Sequence, residues 1–275
     1  MRPAELALAT DWAAEEGWNP GLHDAATFAA VDGDGFLVGE LDGEPVGCLS
    51  AVRWNDHFGF LGFYIVRPQH RGRGFGLALW QRGLERLDGA VVGLDGVVSQ
   101  QENYRRSGFV PAHRSLRFAG PAAGWIGEHR DHATVVDASA VPFDALVPLD
   151  TRHAPAPRPR YLRAWLDQPG ARARVAVDAG DVVGLAVARP CREGWKVGPV
   201  LAGSPAVARL LVGDVLAGLD GEMAVLDVPE PNGAAVALAE HHGMRFSFET
   251  ARMYRGTPAG YDLTGVFGVM SFELG

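Results

Sequence analysis

Two passages recur in this 275-residue chain at nearly the same distance, and the recurrence narrows the possible folds more than any other feature. Asp42-Gly43-Glu44-Pro45-Val46-Gly47 resembles Ala179-Gly180-Asp181-Val182-Val183-Gly184, each a turn entering a strand. Ser107-Gly108-Phe109 resembles His242-Gly243-Met244, each a helix end entering a strand. The offsets are 137 residues from Gly47 to Gly184 and 135 from Gly108 to Gly243. A near-constant period implies two copies of one fold, and ordinary domain sizes admit two compact units in this length. The small-residue stretch Ala119-Gly120-Pro121-Ala122-Ala123-Gly124 reads as the linker, which divides the chain into residues 1–122 and 123–275. The proline-rich stretch from His153 to Pro159 falls inside the second unit.

The pattern of the first unit predicts its elements. Leu6, Ala9 and Ala13 suit a helix from about Pro3 to Glu16, stopped by Gly17. Trp18-Asn19-Pro20-Gly21 is a loop, and a second short helix runs from about His23 to Ala30. Phe36–Leu41, Pro45–Trp54 and Phe60–Val66 are β-rich runs broken by turn residues, an antiparallel meander. A helix over Gly74–Asp88 aligns Leu77, Trp80, Leu84 and Leu87 on one face, with Gly89 at its C-terminal cap. A strand over Ala90–Val98, a short helix over Gln100–Ser107 and a strand over Phe109–Phe118 follow. The expected class is α/β, in the α+β sense, each unit a central mixed, mostly antiparallel sheet flanked by helices.

Composition excludes several function classes. With 47% hydrophobic and 21% charged residues, the chain is neither disordered nor fibrous. Its net charge of −8 argues against a nucleic-acid binder, which must offset phosphate charge. No apolar run approaches the ~20 residues of a membrane span. The start, Met1 to Glu5, has no signal-peptide core, and two cysteines, Cys48 and Cys191, cannot form a disulfide framework, so a cytoplasmic protein is expected. All basic residues except Lys196 are arginine, which we read as the habit of a GC-rich bacterial genome.

The chemistry centres on Val66-Arg67-Pro68-Gln69-His70-Arg71-Gly72-Arg73-Gly74-Phe75-Gly76, where a strand ends, the chain turns through glycines and a helix begins. Glycines let successive backbone N–H groups converge on a ligand. The first turn of a helix adds free N–H groups with partial positive charge, and Arg71 and Arg73 add formal charge, so a phosphate or pyrophosphate suits the loop. The dinucleotide fingerprint fits less well, because the run is G-x-G-x-G after an antiparallel meander. A P-loop would need Gly-Lys-Ser/Thr, which is absent. The bland alternative is a tight turn with solvated arginines.

Val66-x-Pro68-x-x-Arg71-Gly72-x-Gly74-x-Gly76 resembles the acyl-CoA loop of the GNAT superfamily of N-acetyltransferases, with Arg71, Gly74 and Gly76 in its R/Q-x-x-G-x-G/A pattern. Tyr104-Arg105-Arg106-Ser107-Gly108-Phe109 is similar to that family's Y-x-x-x-G-F segment. The resemblance is strong over about residues 1–120, and the second half looks GNAT-like but degenerate. It implies two GNAT-like domains and an acyl-CoA-dependent N-acyltransferase, with acetyl-CoA as co-substrate and the amine of a small molecule as acceptor. Ile65 and Val66 would pair with the pantetheine arm, Arg71, Gly72, Arg73, Gly74, Phe75 and Gly76 would hold the pyrophosphate, and Tyr104 would sit near the thioester sulfur. Backbone N–H groups around Ile65 would polarise the carbonyl. A phenol of reference pKa about 10 can protonate a thiolate of about 8.5, so Tyr104 is the candidate acid, its alternative being a buried packing tyrosine.

The base is where the chain departs from many relatives, which place a glutamate on the strand before the loop; Phe60 to Val66 carries no carboxylate. Asp95 ranks first, because a carboxylate in the otherwise apolar strand at Leu94-Asp95-Gly96 demands a partner. A turn aspartate satisfied by backbone is the bland reading, and Asp24, Asp56 and His57 are further candidates. In the second copy Ala239 stands in the place of Tyr104, and Val200 to Ala206 lacks the arginine and glycines, with Ser204-Pro205 reading as a helix cap. One acyl-CoA site is therefore expected, in the first half. The second half would shape the acceptor pocket, support the fold or mediate homodimerisation.

Nine histidines without metal-ligand spacing argue against a metal site, and Cys48 and Cys191 read as small core residues. Trp18, Asn19 and Pro20 would line the acceptor pocket or simply pack. The alternating run from Val266 to Gly275 would bring the terminal carboxylate towards the site. The rival function is a non-catalytic CoA-binding or interaction module, and a protein-acetylating enzyme is a third reading.

Overall fold

The computed structural model describes residue 1, residues 5–125 and residues 133–275; the expected first turn of the opening helix, at Pro3 and Ala4, lies outside them. Helix α1 (Leu6–Glu15) buries Leu6, Ala9, Thr10, Trp12 and Ala13, and Gly17 ends it at a positive φ. After α2 (Asp24–Val31) come strands β1 (Phe36–Leu41), β2 (Glu44–Asn55) and β3 (Phe58–Val66), paired antiparallel. Asp42 and Gly43 both take positive φ in the two-residue turn between β1 and β2, the backbone that matches strand twist.

Helix α3 (Phe75–Arg86) turns Trp80, Leu84 and Leu87 inward as expected, but not Leu77. Leu79, Trp80 and Gly83 are buried, whereas Leu77 is 59% exposed. The reason is the glycine: a Cβ at Gly83 would lie 2.3 Å from Leu49 Cδ2, so the helix sits closest to the sheet where it has no side chain. A count of apolar residues passes over such a position. Strand β4 (Val91–Val97), α4 (Gln101–Arg106) and β5 (Val110–Pro121) complete the first half.

The second half repeats the order. Strand β6 (Thr134–Asp137), α5 (Phe143–Arg152) and α6 (Pro159–Leu166) precede β7 (Arg172–Asp178), β8 (Asp181–Pro190) and β9 (Trp195–Ala202). Helix α7 (Pro205–Val215), β10 (Met223–Pro229), α8 (Gly233–His241), β11 (Arg245–Arg255) and β12 (Val266–Gly268) follow. Ser204 caps α7 by accepting from Val207 N–H at 3.2 Å, with Pro205 at the first helical position, as its sequence predicts.

All strands join one 12-stranded sheet in the order β1-β2-β3-β4-β11-β5-β10-β9-β8-β7-β6, with β12 on β9. Among the described residues only β3 with β4 and β9 with β10 are parallel. The halves exchange their last strands: β11 lies against β4, β5 lies against β10, and β5 and β11 pair with each other at the centre. The expected linker is therefore corrected at its start, since Ala119, Gly120 and Pro121 are ladder residues opposite Val225, Ala224 and Met223.

Strand alternation sends Cys48 and Val52 to one face and Leu49 and Ala51 to the other, each into a separate apolar cluster. The first cluster joins helices of both halves: Phe28 of α2 stacks on Trp165 of α6 at 6.1 Å, and Trp165 Nε1 donates to the Gly198 carbonyl at 2.8 Å. Both cysteines are free and buried, and burial pushes the Cys48 thiol up to about 12. Among the described residues no helix is long and apolar enough to cross a membrane, and no group of side chains is arranged to hold a metal.

Candidate active site

The parallel pair β3 and β4 holds together only from Phe58–Leu61 against Val91–Leu94. Beyond Leu61 and Leu94 the strands part, and a cavity of about 700 Å³ opens in the gap. Beside it β3 carries one extra residue relative to β2, where Cys48 faces Ile65 and Ser50 faces Gly62. Phe63 takes a φ of +46° in that bulge, a conformation an aromatic residue seldom adopts, and such bulges collect near functional sites.

The glycine loop forms one end of the cavity. Gly72 and Gly74 have φ of +74° and +88°, and Gly74 is the N-cap of α3 without a side-chain cap. Among the described residues the backbone N–H groups from Gly72 to Leu77 meet no protein acceptor. Arg71 donates through Nε to the Val66 carbonyl at 2.8 Å and pairs with Glu16, while Arg67 pairs with Glu15. Helix α1 thereby anchors the loop. Ile65, Val66, Arg71, Gly72, Gly74 and Gly76 line the cavity. The side chain of Arg73 turns to His70 Nδ1 at 3.2 Å and lies over the Phe75 ring at 5.1 Å, so those two residues stand outside the wall. A Cβ on Gly76 would lie 2.7 Å from the Tyr64 hydroxyl, so a glycine is needed for close approach there.

Tyr104 lies deeper in the cavity wall. Its ring stacks on Trp80 at 5.2 Å, and Trp80 is fixed in turn by Nε1 donating to Ser107 Oγ at 3.0 Å. Among the described residues its hydroxyl has no hydrogen-bond partner. Burial raises its pKa above the ordinary phenol value, and Tyr64 adds to the rise, so the group keeps its proton at neutral pH. Tyr64, another cavity residue, is lifted the same way by burial.

Asp95 also lines the cavity, but Arg252 of β11 holds both its oxygens, Nε on Oδ1 at 2.9 Å and Nη2 on Oδ2 at 2.7 Å. Burial lifts the Asp95 carboxyl, and Arg252 offsets part of that rise. The other candidates lie elsewhere. Asp24 is buried on Arg189 at 2.9 Å; burial would raise its carboxyl, but the guanidinium outweighs this and holds it below the ordinary value. Asp56 and His57 occupy the turn between β2 and β3 and are not part of the wall. Trp18 does line the cavity, and its carbonyl accepts from Lys196 Nζ at 2.9 Å and Arg117 Nη1 at 3.2 Å, whereas Asn19 bonds to the backbone of Glu193.

The far wall comes from the second half, through Phe248, Thr250, Phe272 and Glu273, together with Arg117 of the exchanged β5. The matching gap in the second half is closed. Strands β9 and β10 stay paired only over Trp195–Val197 and Ala224–Leu226, and β12 then bonds along β9 while Val269 N–H donates to the Asp227 carbonyl at 2.8 Å. Asn232 holds this plug by donating from Nδ2 to the carbonyls of Thr264 and Val266. Ala239, in the place of Tyr104, is fully buried core. After the plug the chain crosses to the first half. The terminal residue is not what reaches the cavity: the Gly275 carbonyl accepts from Arg158 at 2.6 Å in a separate small cavity, and Glu273 reaches the main one.

Sequence reading missed Arg117, Arg252 and Glu273. The first two carry a repeat signal: Leu94-Asp95 recurs as Leu226-Asp227, and Arg117 pairs with Asp227 as Arg252 pairs with Asp95.

Comparison with known proteins bears on the family and the fold. Residues 5–109 match the profile described as the acetyltransferase (GNAT) family, and residues 146–268 match a second acetyltransferase (GNAT) domain profile. The chain is 30% identical to holothin acyltransferase of Pseudoalteromonas sp. (strain SANK 73390), over all of this chain and 94% of that one. In fold it is similar to a putative acetyltransferase of Pyrococcus horikoshii, with a TM-score of 0.83 at 20% identity over 100% of this chain and 94% of that one. It is also similar to a tandem GNAT protein from the clavulanic acid biosynthesis pathway, with a TM-score of 0.65 at 15% identity, covering 95% of this chain and 98% of that one. The chain belongs to the GNAT acetyltransferase family and is an acyltransferase.

Proposed function

We propose that the protein transfers an acetyl group from acetyl-CoA to the amine of a small molecule, with both bound together in the cavity of the first half. The observation that carries this reading is the row of unpartnered N–H groups from Gly72 to Leu77 at the head of α3. Such a row suits a diphosphate, because converging amides and the helix terminus both favour negative charge. Acyl-CoA bound there would supply an activated thioester. Arg71, Gly72, Gly74 and Gly76 would hold its diphosphate, with Arg73 and Phe75 closing over the outer side. Ile65 and Val66 would hold the pantetheine arm through their backbone, just past the bulge in β3, on the side where the ladder to β4 has ended.

Tyr104 holds a proton ready for the leaving sulfur, since its hydroxyl is protonated and free of protein partners. Asp95, clamped by Arg252, would shape the wall and its field. Residues 1–122 would carry the donor site, and residues 123–275 would furnish the acceptor wall, where Phe248 and Phe272 line the cavity together with Trp18 and favour an apolar or flat acceptor. The plug at β12 supports one site per chain. The name of the holothin acyltransferase relative favours acyl transfer over mere CoA binding, and the free buried cysteines accord with a reducing cytoplasm.

The test measures thiol release from acetyl-CoA across a panel of amines, amino acids and aminoglycosides, preceded by thermal shift with CoA. At 100-fold saturation CoA should stabilise the fold by about 2.7 kcal/mol. No shift with CoA and no thiol released on any acceptor would overturn the reading.

A further inference from the structure

Strand β3 carries no carboxylate, and Gly62 stands where it leaves β4. Gly62 has no room for any side chain: a Cβ there would lie 1.9 Å from the Glu273 carbonyl oxygen. The segment that plugs the second-half cleft thus runs directly over β3 at Gly62 and brings a carboxylate of its own, that of Glu273, to the cavity wall.

That carboxylate differs from the other buried ones. Asp24, Asp95, Asp150 and Asp227 are each held by an arginine, Arg189, Arg252, Arg158 and Arg117 in that order. Glu273 is 4% exposed, its Oε2 is buried without a hydrogen-bond partner, and no ion pair engages it among the described residues. The cations whose charge reaches it are Arg117, Arg189 and Lys196, already committed to Asp227, Asp24 and the Trp18 carbonyl. Asp95 and Tyr161 are the other titratable groups whose charge it meets. Thr250 Oγ1, on the same wall, is likewise buried and unpartnered. A buried carboxylate with no partner is costly, and an entering ammonium would relieve it.

We infer that Glu273 takes the proton from the acceptor amine, so that the second half supplies the base that strand β3 does not carry. This rests on the acyl-transfer reading of the cavity. The acceptor enters as an ammonium and gives one proton to a Glu273 oxygen, which leaves a lone pair on nitrogen and a neutral carboxylic acid. The lone pair forms the N–C bond to the thioester carbonyl carbon, the C–S electron pair stays on sulfur, and the sulfur takes the Tyr104 proton. The second nitrogen proton restores Tyr104, and Glu273 releases its proton to water. Ammonium and thioester thus become amide, thiol and one proton.

The experiment compares Glu273→Gln with wild type, full length, using acetyl-CoA and the best acceptor of the amine panel. Acetyl-CoA affinity by calorimetry should be unchanged, while kcat near neutral pH falls at least about 100-fold. The deficit should shrink as pH rises past the acceptor's own ammonium pKa, because the amine then arrives neutral; a purely structural role would not move with pH. If Glu273→Gln does not fold, Glu273→Asp should show a smaller deficit with the same pH dependence. Wild-type kcat in the glutamine variant, or a deficit equal at every pH in whichever variant folds, overturns the role of Glu273 while leaving the acyltransferase reading in place. A wild type that neither binds acetyl-CoA nor releases thiol removes both.

Discussion

Asp95 and Arg252 face each other across β4 and β11 as direct ladder partners, 157 residues apart in sequence, and close a two-point ion pair at 2.9 and 2.7 Å. Asp227 and Arg117 repeat it across β10 and β5 at 2.7 and 2.8 Å. Each half thus supplies an aspartate that receives an arginine from the strand donated by the other. An exchange in another register would leave the charges buried and unpaired, so the pairs select the register.

Removing one partner tests this. Asp95→Asn should destabilise the fold by about 3–5 kcal/mol, since it strands the Arg252 charge in the interior. The double change Asp95→Leu with Arg252→Leu should recover most of the loss. Denaturant unfolding reads both, and a loss under about 1 kcal/mol in the single variant would contradict the account.

Gly74→Glu should weaken CoA binding at least about tenfold, through roughly 1–2 kcal/mol of left-handed strain and a negative charge beside the diphosphate. A Cβ there meets nothing within 4 Å, so the fold itself has room for the side chain. Calorimetry with CoA decides, and unchanged affinity would count against the loop as the anion site.

Tyr104→Phe should lower kcat by about 100-fold while leaving acetyl-CoA affinity nearly intact. Because the hydroxyl has no protein partner among the described residues, the melting temperature should scarcely move. Full turnover in the phenylalanine variant would remove the acid role.

His113 links stability to pH. Burial, helped by Arg252, pushes its pKa down to about 3, so the folded state holds it neutral while the unfolded chain protonates near 6.5. Its contribution to stability is complete above about 6.5 and declines as pH falls towards about 3, by at most about 1.4 kcal/mol per pH unit. His113→Gln should flatten that part of the stability profile relative to wild type. Parallel profiles for the two proteins would show that His113 does not carry it.

Much of the fold is legible in the chain because its signals are local. Turn glycines and the alternation of the meander place β1, β2 and β3 within a few residues, and Ser204-Pro205 marks the start of α7. The stripe on α3 misleads at Leu77, because Gly83 makes the closest contact with the sheet. At the candidate site, the turn from Val66 to Gly76 and Tyr104 are visible as short motifs. Asp95 is visible only as an anomaly, since its partner sits on a strand whose neighbour no nearby residue specifies.

Backbone preference acts over a few residues, so the order of elements, the glycine turn at the head of α3 and the doubling of the plan follow from the amino acids alone. Which strand lies beside β4, what fills the gap between β9 and β10, and which backbone covers Gly62 follow from packing between segments far apart in the chain. The strand exchange rests on burying Asp95 and Asp227 against arginines, the closed second gap rests on filling space, and both exist only once the two halves close on each other.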